Sequence, residues 1–144
     1  MKRFFLFSLG LVLVVALVHG PAAPEDVNTL IANGIDLSEK GRFDQALAAF
    51  NRALQIKPQD PMLYNYRGKV YWAKGQNDKA LADFTQALTM DPKNGRAYEY
   101  RALVYCSLED FAKALADVDK AKSLGFKIDE DFYEMLKSKA AAKK

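Results

Sequence analysis

Residues 61–94 read PMLYNYRGKVYWAKGQNDKALADFTQALTMDPKN. Asp60 and Pro61 open this stretch with a side-chain oxygen acceptor followed by a residue whose φ is already helical, a pairing that starts helices. Leu63, Tyr64, Arg67 and Tyr71 recur at helical spacing until Lys74-Gly75 interrupts the run. Asn77 or Asp78 restarts it, Ala80, Leu81, Phe84, Ala87 and Leu88 form a second apolar stripe, and Asp91-Pro92 ends it. The pattern predicts two antiparallel helices joined by a glycine turn. Gly68 and Ala80 are small enough to let the two backbones approach, and Phe84 is large enough to fill the space beyond them.

A shift of 34 residues superimposes Gly34 on Gly68, Gly41 on Gly75 and Pro58 on Pro92. It also brings Ala46, Ala80 and Ala114 into register, as it does Ala53, Ala87 and Ala121, and sets Phe50 with Phe84 and Val118. A fixed period of this size marks a solenoid, in which each unit buries its apolar side only by stacking on its neighbours. The units span 27–60, 61–94 and 95–128 within a domain over 23–144. In the third unit Phe126 stands in place of the proline, and Gly125 is placed to cap the helix before it. Asp129, Glu130 and Asp131 favour the start of a further helix over 129–142. Its Phe132, Tyr133, Met135 and Leu136 can cover the open side of the third unit. The expected fold class is all-α, an α-α superhelix of three helix-turn-helix repeats plus a capping helix.

This pattern resembles the tetratricopeptide repeat family, whose unit places an aromatic residue, Leu-Gly, Tyr, Ala, Phe and Pro at fixed offsets. Unit two supplies Tyr64, Gly68, Tyr71, Ala80, Phe84 and Pro92, and departs with Arg67 where leucine is usual. Unit one matches at Gly34, Ala46, Phe50, Ala53 and Pro58, with Leu30 and Leu37 at the aromatic positions. Unit three matches at Tyr98, Tyr105, Ala114 and Ala121, with Ala102, Val118 and Phe126 replacing Gly, Phe and Pro.

The resemblance implies a concave groove, lined by the first helix of each unit, that receives an extended peptide or a helix. It places Ile31 and Ile35 of unit one there, then Met62, Asn65, Tyr66, Lys69 and Trp72 of unit two. Unit three contributes Arg96, Glu99, Tyr100, Leu103 and Cys106. Apolar and aromatic groove residues hold a partner by excluding water; for Trp72, Tyr66 and Tyr100 the alternative is packing between units. A subset of the family clamps terminal carboxylates with lysines, asparagines and an arginine, but here those places hold Ile31, Ile35, Tyr66, Arg96 and Tyr100. Only Arg96 fits, so no clamp is expected. Lys69 and Arg96 face Glu39 and Glu99, a mixed field that suits a hydrophobic or amphipathic segment better than a strongly charged one.

Arg67 and Arg101 occupy a normally apolar position, and each is followed 16 residues later by an aspartate, Asp83 or Asp117. Unit one has Asn33 and Ala49 instead. Joint presence and joint absence predict structural ion pairs within units two and three, because a partly buried single charge is costly; anion binding by the arginines is the alternative.

One cysteine, Cys106, and one histidine, His19, exclude an intramolecular disulfide, a Cys/His zinc site and a histidine-based triad within one chain. Gly41 and Gly75 lack the Lys-Ser/Thr that would follow in a phosphate loop, and nothing pairs Glu39 or Glu99 for acid/base work. A non-enzymatic protein without cofactor or metal is expected. Cys106 reads as a small packed residue, since no second cysteine or neighbouring histidine activates it. A formal charge of +3, two of it from Lys2 and Arg3, is too small and dispersed for a nucleic-acid binder. Lys137, Lys139, Lys143 and Lys144 complement the dipole of the final helix.

Lys2 and Arg3 precede an uncharged run, FFLFSLGLVLVVALV over residues 4–18, and a small-residue exit through Gly20, Ala22 and Ala23. These are the marks of a secretory signal peptide, cleaved after Ala22. An uncleaved anchor over 1–22 is the alternative, because the run to Gly20 just reaches the roughly 17 residues that cross a bilayer. Both place the chain from Pro24 onward outside the cytosol. The expected location is therefore periplasmic or secreted, or membrane-anchored and facing outward, with membrane contact only through this segment. Two functional readings follow. One is an exported adaptor that binds a peptide or helix of a protein partner in its groove. The other is a membrane-tethered assembly subunit docking through its convex face or cap helix.

Overall fold

The computed structural model describes residues 26–142; the N-terminal segment read as a signal or anchor, and Lys143 and Lys144, lie outside the described residues. Seven helices follow one another: α1 (Val27–Glu39), α2 (Phe43–Ile56), α3 (Pro61–Ala73), α4 (Asn77–Met90), α5 (Gly95–Ser107), α6 (Phe111–Ser123) and α7 (Glu130–Ala142). Among the described residues there is no strand. Each helix packs on the next in sequence, while α1 touches α3 and α3 touches α5, so the first helices of the three units stand in series along one side. The fold is the all-α superhelix that the 34-residue period predicts.

The first helices begin on side-chain caps. Asp26 accepts from the amides of Asn28 and Thr29 at 3.3 and 3.2 Å, Asp60 from Met62 at 2.9 Å and Asn94 from Ala97 at 3.1 Å. Each bond satisfies a donor that the first helical turn leaves unpaired. The cap of α4 differs from expectation. The helix starts at Asn77, but Gln76 occupies the capping position and its side chain does not cap the helix. The turn before it does the work instead: Gly75 has φ +73°, and the Gln76 amide donates back to the Tyr71 carbonyl at 2.8 Å. Such a left-handed residue closes the preceding helix and turns the chain into the next. Gly41 repeats the turn between α1 and α2, and Glu109, with φ 57°, repeats it between α5 and α6.

Gly34 and Gly68 are required by close approach. A Cβ on Gly34 would lie 2.8 Å from the Phe50 ring, and one on Gly68 would lie 2.9 Å from that of Phe84. Unit three solves the same contact with Ala102 and Val118, both fully buried, a larger residue on α5 answered by a smaller one on α6. The loop after α6 lays Phe126 against Gly95, where a Cβ would come within 2.6 Å of the Phe126 Cβ. Leu136 of α7 is fully buried against Ala102, Ala114 and Val118 and closes the end of the stack.

Candidate functional site

The residues mapped to the groove lie on α1, α3 and α5, but they are not equally available. Met62 is 47% exposed, and Lys69 and Arg96 are exposed, whereas Glu99, Leu103 and Cys106 are half-buried. Ile31 and Ile35 are half-buried and pack on the core formed with α3. Tyr66 stacks on Phe50 of the preceding unit, centroids 5.7 Å apart and planes at 10°. Tyr100 meets Phe84 in a tilted arrangement, with centroids 5.7 Å apart and planes at 33°. Both tyrosines therefore join one unit to the one before it, at a contact worth about 0.5–1.5 kcal/mol beyond the area buried. Trp72 packs against the core around Phe84 and Val104, yet remains half-buried, and its Nε1 donates to Ser107 Oγ at 3.2 Å.

Asn65 corrects the expectation of a surface contact. It is only 6% exposed, and among the described residues its Oδ1 has no hydrogen-bond partner. The equivalent Ile31 and Glu99, on the outer two of the three helices, are half-buried. The central helix α3 touches both α1 and α5, so this position is covered from two sides.

Between α1 and α3 opens a hollow of about 80 Å³. Phe50 and Val70 form its floor, Ile35, Ser38 and Tyr66 its walls, and the exposed Glu39 and Lys69 its rim. The Lys69 ammonium lies 5.2 Å from the centroid of the Tyr100 ring, and the Arg96 guanidinium 5.3 Å from that of Phe126. Both groove cations thus rest on aromatic faces. Burial pushes the Cys106 thiol up, with Lys139 opposing, which favours the neutral thiol over the thiolate. Among the described residues no cluster of His, Cys, Asp and Glu is arranged to hold a metal, and no helix is long and apolar enough to cross a membrane.

The structure brings both arginines to their aspartates. Arg67 Nε and Nη2 donate to the two Asp83 oxygens at 2.8 and 2.7 Å, and Arg101 meets Asp117 with the same two distances. The aspartates are 5% and 6% exposed. Hydrogen bonding to the aspartate, ahead of its charge, raises each guanidinium above its ordinary value, so both stay charged at every accessible pH. Tyr64 and Tyr71 flank Arg67 with centroids 5.4 and 5.9 Å away.

A third partner escaped the sequence reading. Arg67 Nη1 donates to Asn51 Oδ1 on α2 at 2.7 Å, and Arg101 Nη1 donates to Thr85 Oγ1 on α4 at 3.2 Å. Each arginine therefore ties the second helix of its own unit to that of the unit before. Asn51 and Thr85 are 34 residues apart, and one period further on stands Asp119, which accepts from the Tyr133 hydroxyl of α7 at 2.8 Å. That bond raises the Tyr133 phenol above its usual value. With every nitrogen of both guanidinium groups engaged inside the protein, little is left to hold an anion.

Comparison with known proteins agrees with this architecture. A family model described as TPR repeat matches residues 36–75, and one described as tetratricopeptide repeat matches 65–125. The chain belongs to the tetratricopeptide repeat family. No curated protein is a significant match to it in sequence. Among solved structures it is similar to the TPR domain of Sgt2 from Aspergillus fumigatus, at 25% identity and a TM-score of 0.74, over 83% of this chain and 84% of that one. It is also similar to the TPR2B domain of yeast Sti1 in a complex with pHsp70, at 21% identity and a TM-score of 0.71, over 82% of this chain and 98% of that one. The first TPR of Spaghetti (RPAP3), bound to the HSP90 peptide SRMEEVD, is 21% identical with a TM-score of 0.72, over 81% of this chain and 91% of that one.

Proposed function

We propose that the chain is a non-enzymatic adaptor, acting outside the cytosol, that binds a peptide or helical segment of a protein partner along α1, α3 and α5. The observation that carries this reading is the partly apolar surface of those helices, where Met62 is 47% exposed and a hollow walled by the half-buried Ile35 and Tyr66 opens to solvent. Apolar anchor sites of this kind are how helical grooves take up partner segments. The TPR domains of Sti1 and RPAP3 noted above are bound to partners, one of them a peptide, which favours the same use of this fold here. An acidic tail such as SRMEEVD is a poor fit to this groove. Isoleucines and tyrosines occupy four of the five clamp places, and Lys69 and Arg96 lie over aromatic rings.

The groove is tested by crosslinking a partner in the native host and repeating the capture with Trp72→Ala and Ile35→Ala, each checked for an intact helical melt. Capture should fall at least tenfold, as is usual when a central anchor is truncated; undiminished capture would defeat the groove. Export rests on Lys2, Arg3 and the apolar run over residues 4–18. Mass spectrometry of the native protein should find a chain beginning after Ala22. A retained N-terminus would instead favour the tethered assembly subunit.

A further inference from the structure

We infer that the hollow between α1 and α3 is a socket for one aliphatic side chain of the partner, a leucine, isoleucine or methionine, carried next to a lysine or arginine. This rests on the groove reading and specifies what the groove selects.

The floor of the socket is fixed. Phe50 and Val70, each 1% exposed, form a rigid base that leaves almost no surface of its own, so the apolar contact comes from the half-buried Ile35 and Tyr66, the latter pinned by its stacking on Phe50 at 5.7 Å. A pre-formed apolar concavity needs no reordering when it fills, which favours binding. Its size selects among apolar side chains. At about 80 Å³ it has about half the volume of the roughly 150 Å³ apolar cavity that holds benzene, enough for a branched or linear aliphatic group but not an aromatic ring. Ser38 and the Tyr66 hydroxyl are the neutral polar groups in the wall and Glu39 and Lys69 the charged ones at the rim, so a charged side chain would be desolvated against Ile35 and the Tyr66 ring with little return.

The rim selects the neighbour. Lys69 and Glu39 carry opposite charges, but they are not equivalent. The Lys69 ammonium is drawn onto the Tyr100 ring, while Glu39 is exposed and, among the described residues, forms no ion pair. Lys69 keeps its charge but is held on the ring, so it is on the Glu39 side of the rim that a cation beside the buried side chain finds a complement. An acidic neighbour or a terminal carboxylate would meet Glu39 as a like charge.

The test uses the host-processed protein with methyl-labelled isoleucine and valine, titrated with acetyl-Leu-Lys-amide, acetyl-Ala-Lys-amide and acetyl-Leu-Glu-amide. The Ile35 and Val70 methyl signals should shift saturably with the first probe. The alanine probe should bind about tenfold more weakly or worse, the loss expected when methylenes are missing from an apolar pocket. The glutamate probe should be about twofold to fivefold weaker than the lysine probe, the range of an exposed ion pair, and Glu39→Gln should erase that preference. Ser38→Met, which fills the socket from within, should abolish the shifts while leaving the melting temperature within a few degrees. Absence of saturation with acetyl-Leu-Lys-amide, an equal response to the alanine probe, or preference for the acidic flank would overturn the socket. Partner capture that depends on Trp72, which lies outside the socket, beside a silent socket removes this inference alone. A responsive socket beside capture indifferent to Trp72 and Ile35 removes the groove reading instead.

Discussion

Unit one and its two successors are built on the same contact, a small residue on the first helix facing a larger one on the second, but among the described residues only the successors carry the two-pronged arginine–aspartate bridge between their helices. Unit two holds Arg67 between Asp83, Asn51 and two tyrosine rings, and unit three holds Arg101 between Asp117, Thr85 and Tyr98. Unit one has Leu30, Asn33, Leu37 and Ala49 at the corresponding places, and they border an open hollow of about 370 Å³. The difference follows from position in the stack. A half-buried guanidinium loses water on folding and must recover that cost from every donor it has. The third acceptor comes from the preceding unit, and among the described residues α1 has no preceding helix. The bridge is a property of a junction between units.

Exchanging residues between units breaks or sharpens this comparison. The largest effect belongs to Arg67→Ala, which leaves Asp83 buried and alone. Removing one partner of a fully buried pair costs about 3–5 kcal/mol. With the Arg67 side chain 21% exposed, that figure drops to about 2–3 kcal/mol. Urea denaturation should show a loss of this size for Arg67→Ala and for Arg101→Ala, against about 0.5 kcal/mol or less for Asn33→Ala. An unchanged midpoint in both arginine variants would end the bridge account. Replacing the pair together, Arg67→Met with Asp83→Leu, should recover most of the loss, because no charge is then left unpaired.

Next in size is Asn65→Ile, which gives the central helix the residue unit one carries at Ile31. The unpaired Oδ1 disappears, and stability should rise by about 1–2 kcal/mol, the desolvation cost of a buried unsatisfied group less a little for the branched side chain. A fall in melting temperature would show that Asn65 is satisfied in solution. Smaller again is Glu109→Gly, which gives unit three the glycine that units one and two have at Gly41 and Gly75. Glu109 is held at φ 57°, where a side chain costs about 1 kcal/mol or more. Part of that is offset by the entropy glycine loses and by the side-chain interaction that Glu109 gives up, so a gain of about 0.5 kcal/mol is expected from the same denaturation curves. The reverse change, Gly75→Ala, should cost about 1 kcal/mol through the backbone alone, since a Cβ there meets nothing within 4 Å.

What could be read from the sequence divides along the same lines. The helix pairs were legible because the constraint is steric and admits one residue type: Gly34 and Gly68 recur since no other residue fits beneath Phe50 and Phe84. The ion pairs were legible because both charges arrive and depart together. The bridge to the preceding unit was not, since an acceptor is all it needs, and Asn51, Thr85 and Asp119 meet that need with three different residues. The turn at Glu109 was hidden for the opposite reason: the backbone keeps a conformation that glycine marks elsewhere, under a residue that does not announce it. Burial of Asn65 was invisible because its family position is a groove position, and only contact with helices on both sides shows that the middle of three is more covered than the ends.

The smallest predicted effect is the most discriminating. Asn33→Arg with Ala49→Asp transplants the pair of unit two into unit one, where the two positions border the same hollow and so lie close enough to meet. If the Arg–Asp contact itself supplied the stability, the graft would add a kilocalorie or more. The new arginine would find Leu30 and Leu37 in place of the flanking tyrosines, and among the described residues no preceding helix supplies the acceptor that Asn51 offers to Arg67. Solvent would reach the pair through the open hollow, and solvent-exposed pairs are worth about 0.2–1 kcal/mol before desolvation and side-chain ordering are subtracted. The double variant should therefore melt within about 0.5 kcal/mol of the parent, and Ala49→Asp alone should lose no more than about 1 kcal/mol, because the same open hollow lets water reach its carboxylate. A gain above 1 kcal/mol in the double variant would assign the bridge to the unit and take it away from the junction.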